Sequence, residues 1–391
     1  MVPQKRIAIV FASSIYDQKG LFNAVHNRVK YLIKIAEFQI DVYLLSTYKG
    51  KVISVLCGEE SNERPSIYQK DGVVYHLLWR KNSVIDFLLY HKLHYKEIFH
   101  QLYDRKIAAL FKGYDLLDVH SGAGNLALEV KHQYNIPYII TWHGSDIHTS
   151  PFNSLSQKIK TKALLENASC NCFVSNGLKE VATKIVASFR YEILYNGANE
   201  SFFKYDIKER EIIQRKYNPR GKKIVAFIGN VIEVKNPLSL PVIFDYVRKN
   251  YKKDVQFWII GDGELKPNLE EQLRSSDLDY IAWGNQPIDK IPVLLQTIDV
   301  VVLPSHREGF GMVLVEAIKC GANAVASKVD GTVEILGEED TFSLNDTFAE
   351  KIATRIVYYL DNNIEQKLDS CFSWENTAKL ENKIIEGVLF K

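Results

Sequence analysis

At 391 residues, 46% apolar and 25% charged, the chain is globular and too long for one ordinary core, so two domains are expected. Its 49 basic and 47 acidic residues leave a net charge of +2, which excludes the strong basic excess of a protein held to nucleic acid by phosphate contacts. The apolar stretch in MVPQKRIAIVFASS is too short for a signal-peptide core, and no apolar run approaches about 18 residues, so a cytoplasmic protein without a membrane span is expected.

In chain order, RIAIVFAS (6–13) predicts a buried strand and FNAVHNRVKYLIKIAEF a helix. Further strands are predicted at DVYLLST (41–47), VVYHLLW (73–79), LLDVHS (116–121), YIITWHG (138–144) and NCFVS (171–175). FLLYHKLHYKEIFHQLYDRK (87–106) interleaves apolar, aromatic and basic residues at helical spacing. It reads as a domain helix with a snorkelling basic face, with a membrane-surface helix as the alternative. The pattern weakens past YEILYNGANESFFKYD, where Asn196-Gly197 signals a turn. It restarts with KKIVAFIGN (222–230), VQFWIIGDG (255–263), YIAWG (280–284), DVVVLPS (299–305) and NAVAS (323–327). In the tail, Leu380, Ile384 and Val388 recur at four-residue spacing and predict a helix.

Runs apolar on both faces, joined by helix-length connections, argue for parallel sheets covered on both sides. Two doubly wound α/β domains follow, with a boundary near 197–205. Ligands of such sheets bind beyond the carboxyl ends of the strands, and with two domains the expected site is the cleft between them. Cys170 and Cys172 lack a second ligand pair for zinc and read as buried free thiols.

The densest chemistry lies in SHREGFGMVLVE (305–316). DVVVLPS ends as a strand at Ser305, HREGFG makes the turn, and MVLVEAIKC is a helix closed by Gly321. Glu308 therefore falls in the turn and Glu316 about two turns into the helix. Gly309 and Gly311 leave backbone N–H groups open beside the positive end of the helix dipole, which suits a phosphate. Glu316 sits in an almost wholly apolar run, and an unpaired carboxylate there is costly.

The block SHREGFGMVLVEA resembles the Glu-x7-Glu signature of retaining GT-B glycosyltransferases of family 4, the glycosyltransferase group 1 class. FIGNVIEVKNP, IIGDGE, VDGTVEIL, WHGSD and YNGANESFF resemble other family segments and follow in the family's order, so the resemblance covers nearly the whole chain. It implies two Rossmann-like doubly wound parallel-sheet domains facing a central cleft. Residues 1–200 would form an acceptor-side domain with helix 375–391 packing back on it, and residues 201–374 a nucleotide-sugar domain.

Carried over, Glu316 would hold ribose hydroxyls, Glu308 hydroxyls of the transferred sugar, and the amides around Gly309, Phe310 and Gly311 the diphosphate. Lys235 stands where the family places a phosphate-binding lysine, and Gly229 and Gly263 sit at neighbouring strand ends on the donor side. Asn230 replaces the family's usual Arg; either Arg307 substitutes for it or the phosphate clamp is weaker. His143 would reach the sugar near the reacting carbon, and His120, at a similar strand end, is divided between structural and acceptor-side roles. The first βα turn carries only Gly20 where many members have a Gly pair facing the acceptor, and it lacks the Gly-x-Gly-x-x-Gly of dinucleotide binding. GDGE (261–264) has a single Asp, so no metal or other cofactor is expected.

The expected reaction is transfer of a sugar, with retention, from a nucleotide-diphosphate sugar to a saccharide or lipid-linked saccharide acceptor. Surface polysaccharide or glycolipid assembly, with peripheral contact at the cytoplasmic membrane face, is the setting this family suggests. The competing readings are a GT-B-shaped sugar-nucleotide epimerase and a non-catalytic sugar-nucleotide-binding subunit.

Overall fold

The computed structural model describes residues 4–16, 18, 20–49, 63–82, 98–120, 122–198, 204, 206–362 and 364–390. The chain divides into two compact units. Unit 1 comprises Met1–Val174, Leu178–Leu194 and Trp374–Lys391, and unit 2 comprises Ser175–Gly177 and Tyr195–Ser373.

Unit 1 is built on β1 (Arg6–Ala12), β2 (Gln39–Lys49), β3 (Ile67–Lys70), β4 (Val73–Asn82), β5 (Leu116–His120), β6 (Tyr138–Trp142), β7 (Cys170–Phe173) and β8 (Tyr191–Ile193). They form one sheet in the order β3-β4-β2-β1-β5-β6-β7-β8. Every residue of β5, β6 and β7 is buried, as expected of strands covered on both faces. The strand β3 departs from the all-parallel expectation, because it pairs antiparallel with β4. Asp71 and Gly72, at φ 48° and 80°, make the two-residue turn between them, and positive φ at both positions matches the twist of a tight hairpin.

The helix Trp374–Leu389 belongs to unit 1 although it ends the chain. It buries Ala378, Ile384 and Ile385 in the same core as Phe22, Val25, Val29 and Leu32 of helix Gly20–Ile35. Of the basic-aromatic stretch 87–106, residues 87–97 lie outside the described residues; the rest enters helix Ile98–Ile107. There Asp104 is fully buried in an ion pair with Arg80 of β4, which fits a domain helix.

Unit 2 contains β9 (Lys223–Ile228), β10 (Val255–Ile260), β11 (Tyr280–Gly284), β12 (Val300–Leu303), β13 (Asn323–Ser327) and β14 (Thr341–Phe342). Their order, β11-β10-β9-β12-β13-β14, is that of a doubly wound sheet whose winding reverses between β9 and β12. In unit 1 the corresponding reversal lies between β1 and β5. The crevice outside the carboxyl ends of such strands is where open α/β sheets bind ligands. In unit 2 those ends lead into Gly229-Asn230 and Ser305; in unit 1 they lead into Ser13 and out of His120.

Candidate active site

At the β9 end of unit 2, Gly229 has φ 156° and Asn230 is exposed. The loop then passes through a short 3-10 turn, Glu233–Lys235, which Asn236 closes in the left-handed region at φ 50°. It is tied to the β12 turn by His306 N donating to Val234 O (2.9 Å) and Asn236 Nδ2 donating to Pro304 O (3.1 Å). Gly263, expected on the donor side, packs closely against the β9 loop. A Cβ there would meet Val231 O at 2.4 Å, and one on Gly261 would meet Gly229 O at 2.0 Å. Near Gly263, Lys266 pairs with Asp262 at 2.9 Å and Arg274 with Glu270 at 3.2 Å.

The turn after β12 gathers most of the other expected residues. Glu308 is 7% exposed, and its Oε1 accepts from Lys235 Nζ (2.6 Å) and Ser305 Oγ (2.7 Å). Lys235 and Glu308 therefore meet directly, a pairing that spacing alone does not predict. Gly309 O accepts from Ser175 Oγ (2.7 Å). The amides of Gly309, Phe310 and Gly311 have no hydrogen-bond partner among the described residues. Gly311, at φ 98°, caps helix Met312–Lys319, so three free N–H groups lie at a helix N-terminus. The Phe310 side chain is buried between Tyr195 and Phe372, with ring centroids at 6.1 and 5.8 Å, so only its backbone is available to a ligand. Behind it, a Cβ on Gly331 would lie 2.7 Å from Phe310 Cα and O. Arg307 is exposed and has no ion-pair partner among the described residues, so its guanidinium is uncommitted.

Glu316 has no hydrogen-bond or ion-pair partner among the described residues. Burial pushes its carboxyl up to about 8. Part of the side chain still reaches solvent, so the group lies deep among apolar neighbours but is not sealed in. Its backbone does ordinary helical work, with the carbonyl accepting from Cys320 N at 3.1 Å. A partly exposed carboxyl with no partner among the described residues is equipped to take hydroxyl groups from a ligand.

In unit 1, His143 follows β6 and His120 ends β5. Nε2 of His143 and Nδ1 of His120 are 3.0 Å apart, with ring centroids at 5.3 Å. Burial, reinforced by the positive charge of Arg28, pulls His143 down to about 3, so its imidazole is neutral across the physiological range. Asp146 sets the backbone of this loop, accepting from His143 N (3.0 Å) and Gly144 N (2.8 Å). His120 is 1% exposed and packs against His143, a placement that suits the structural side of its two expected roles. Gly20 opens helix Gly20–Ile35, and a Cβ there would meet nothing within 4 Å; close approach does not require glycine at this position.

Asp118, His120 and Glu381 bring one donor atom each within 4.8 Å of one another. Arg28 already lies against Glu381 at 2.6 Å, so a cation occupies the position and no metal is assigned.

Sequence reasoning quoted Glu334 within a motif but gave it no role. Its carboxylate accepts from Asn176 N (2.7 Å), Asn176 Nδ2 (2.7 Å) and Tyr195 OH (2.7 Å), and so ties together three separated stretches of unit 2. In the same segment Asp330 adopts φ 35°, a conformation suited to glycine. Arg28, Asp118 and Glu381 were also missed. The available signal was a lone Asp inside the apolar strand LLDVH, where a buried charge needs a partner elsewhere.

The family described as Glycosyl transferases group 1 has a model that matches residues 208–379, and that of Glycosyltransferase Family 4 matches residues 53–202. A Bacillus subtilis protein provisionally named a teichuronic acid biosynthesis glycosyltransferase is 25% identical over 63% of this chain; the match spans 61% of that protein, less than two thirds of its length. The Escherichia coli UDP-Gal:alpha-D-GlcNAc-diphosphoundecaprenol alpha-1,3-galactosyltransferase is 26% identical over 70% of this chain and 71% of its own. Among solved structures, sucrose-phosphate synthase from Thermosynechococcus elongatus superposes with a TM-score of 0.75 at 16% identity, covering 99% of this chain and 100% of that one. Anabaena HepE in complex with UDP and glucose gives 0.65 at 15%, covering 98% and 97%. At these identities the structural likeness is one of fold, and that fold is GT-B.

Proposed function

The chain belongs to the group 1 glycosyl transferases of family 4, and from that premise we propose that it transfers a sugar from a nucleotide-diphosphate sugar to an acceptor hydroxyl with retention of configuration and without a metal. The observation that carries this reading is Glu316, a recessed carboxyl with no hydrogen-bond or ion-pair partner among the described residues, on the helix whose N-terminus carries free amides. Ribose hydroxyls would satisfy the carboxyl, and the diphosphate would take the amides of Gly309, Phe310 and Gly311. Lys235, now 2.6 Å from Glu308, would share its charge with the departing phosphate, while Glu308 holds hydroxyls of the transferred sugar. Arg307 supplies the uncommitted cation that Asn230 cannot.

In this mechanism the leaving phosphate oxygen takes the proton of the incoming acceptor hydroxyl on the face the phosphate leaves. Lys235 and the helix N-terminus stabilise the charge developing there. His143, neutral because it is buried, contacts the sugar through a hydrogen bond and does not act as a proton donor at neutral pH.

The relatives support polysaccharide or glycolipid assembly as the setting. The Escherichia coli relative is named for an acceptor joined to diphosphoundecaprenol, and that makes a lipid-linked acceptor, reached at the cytoplasmic membrane face, our proposal for this chain. No helix among the described residues is long and apolar enough to cross a membrane, so such contact would be peripheral. No observation favours the epimerase or the binding-subunit reading. Incubation with donor and acceptor, followed by NMR of the new glycosidic linkage, tests the proposal. The same anomeric configuration in donor and product supports it; inversion, or epimerised donor without acceptor, would sink it.

A further inference from the structure

Four buried ionisable groups of unit 1 meet beneath the histidine pair. Asp118 and His120 stand two residues apart on one face of β5, Arg28 comes from helix Gly20–Ile35, and Glu381 from helix Trp374–Leu389. None is more than 1% exposed. Arg28 donates to both oxygens of Glu381, at 2.6 and 3.3 Å, and to Thr141 Oγ1 at 3.3 Å. That pair is electrically complete. Asp118 is a second carboxyl in the same dry space, and no N–H or hydroxyl donor among the described residues reaches either of its oxygens. If Asp118 were ionised, two buried carboxylates would face one guanidinium, an arrangement that costs more than taking up a proton.

We propose that Asp118 and Glu381 share a single proton, and that this singly charged pair fixes the tautomers of His120 and His143, leaving Nδ1 of His143 as the unprotonated nitrogen. The charges then balance: Arg28 is matched by one negative charge on the carboxyl pair, and the proton comes from solvent on folding. His120 Nε2 faces Asp118 Oδ1 at 4.0 Å. An N–H on that nitrogen is attracted to the carboxyl oxygen, whereas a lone pair there would be repelled. With its proton on Nε2, His120 has only a lone pair on Nδ1, so the 3.0 Å contact must be His143 Nε2–H donating to His120 Nδ1. Nδ1 of His143 is left as an acceptor.

The surrounding groups agree with this assignment. Burial raises Asp118 well above the usual carboxylate range, with the charge of Glu381 adding to it. Burial also lowers His120, with Arg28 and His143 adding to it. Cys172 of β7, hydrogen-bonded with Cys170 and buried, is pushed up and stays a neutral thiol. His143 is then built to accept one hydroxyl, and Asp118, Glu381 and His120 are positioning residues that act through it. Only the identity of that hydroxyl rests on the proposed glycosyl transfer.

Two measurements on the full chain test the assignment without donor or acceptor. Long-range proton–nitrogen NMR of histidine-labelled protein, with His143 assigned from the His143→Gln variant, should show both rings neutral and carrying the proton on Nε2 from pH 5.5 to 8.5. A proton on Nδ1 of His143, or a charged ring, overturns the proposal. Separately, the unfolding equilibrium of Asp118→Asn is compared with that of the native chain. Asn supplies a permanent N–H toward Glu381 and a carbonyl toward His120, so the variant should fold. The shared proton is bound in the folded state and released on unfolding above the ordinary carboxylate range. The native chain's folding constant should therefore fall about tenfold per pH unit relative to the variant between pH 5 and 7. A pH-independent ratio means that Asp118 is ionised in the fold and contradicts the proposal, as does one divalent metal ion per native chain by elemental analysis. If Asp118→Asn does not fold, the NMR of the native protein decides alone. Failure here leaves sugar transfer standing, and failure of transfer leaves these tautomers standing.

Discussion

At the residue scale, the proposed contact of Glu316 with ribose makes donor binding a proton-linked event. Its carboxyl titrates at about 8 in the free protein, raised by burial, so it is mostly protonated at neutral pH. Ribose hydroxyls that favour the carboxylate would lower that value in the complex, and binding would then release a proton. Donor affinity should rise with pH, by up to about tenfold per unit, and level off above about 8. Calorimetry between pH 6 and 8.5 measures this, and Glu316→Gln should bind at least roughly tenfold more weakly with a flat profile. His143, held neutral down to about 3, predicts a different signature: no inflection near 6.5 in the activity profile, and a loss of kcat larger than any rise in KM in His143→Ala. A KM effect alone would remove His143 from contact with the transferred sugar. Glu316 was legible in the sequence because a carboxylate inside MVLVEAI is anomalous wherever it falls. The Lys235–Glu308 pair was not, because the two residues are 73 positions apart and only the packing of the β9 loop against the β12 turn joins them.

At the element scale, the glycines set how closely the loops approach. Gly331 has no unusual backbone requirement, yet a Cβ there would lie 2.7 Å from Phe310 Cα and O. Gly331→Ala should push the 309–311 backbone out of place. We expect a loss of about 1–3 kcal/mol in stability and weaker nucleotide binding, read by chemical denaturation and calorimetry. Gly261→Ala faces Gly229 O at 2.0 Å and also a φ of 135°, and should cost more than Gly331→Ala. The strands and main helices were readable because long apolar runs and helical spacing are local properties of the chain. The β3–β4 hairpin carried its own signal in Asp71-Gly72, but β3 is half exposed and lacks the apolar run that marked the other strands. The two-residue β14 is too short to leave any pattern.

At the scale of the whole molecule, each unit is a doubly wound sheet with its candidate residues at its own switch point, and the last helix returns to the first unit. Deleting 374–391 would strip Ala378, Ile384 and Ile385 from the unit 1 core and remove Glu381, the carboxylate that Arg28 holds at 2.6 Å. Losing one partner of such a pair costs about 3–5 kcal/mol before any lost apolar contact is counted, so the truncated chain should not fold stably in a thermal melt.

In our proposal, unit 2 holds a nucleotide-diphosphate sugar through Glu316 and the 309–311 amides. A thermal-denaturation screen of UDP-, GDP- and ADP-sugars, run in parallel on the native chain and on Glu316→Gln, tests it most directly. One nucleotide class should stabilise the native chain by about 2.7 kcal/mol at a concentration 100 times its dissociation constant, and the variant should lose most of that gain. No stabilisation by any nucleotide sugar, or equal stabilisation of both chains, would contradict it.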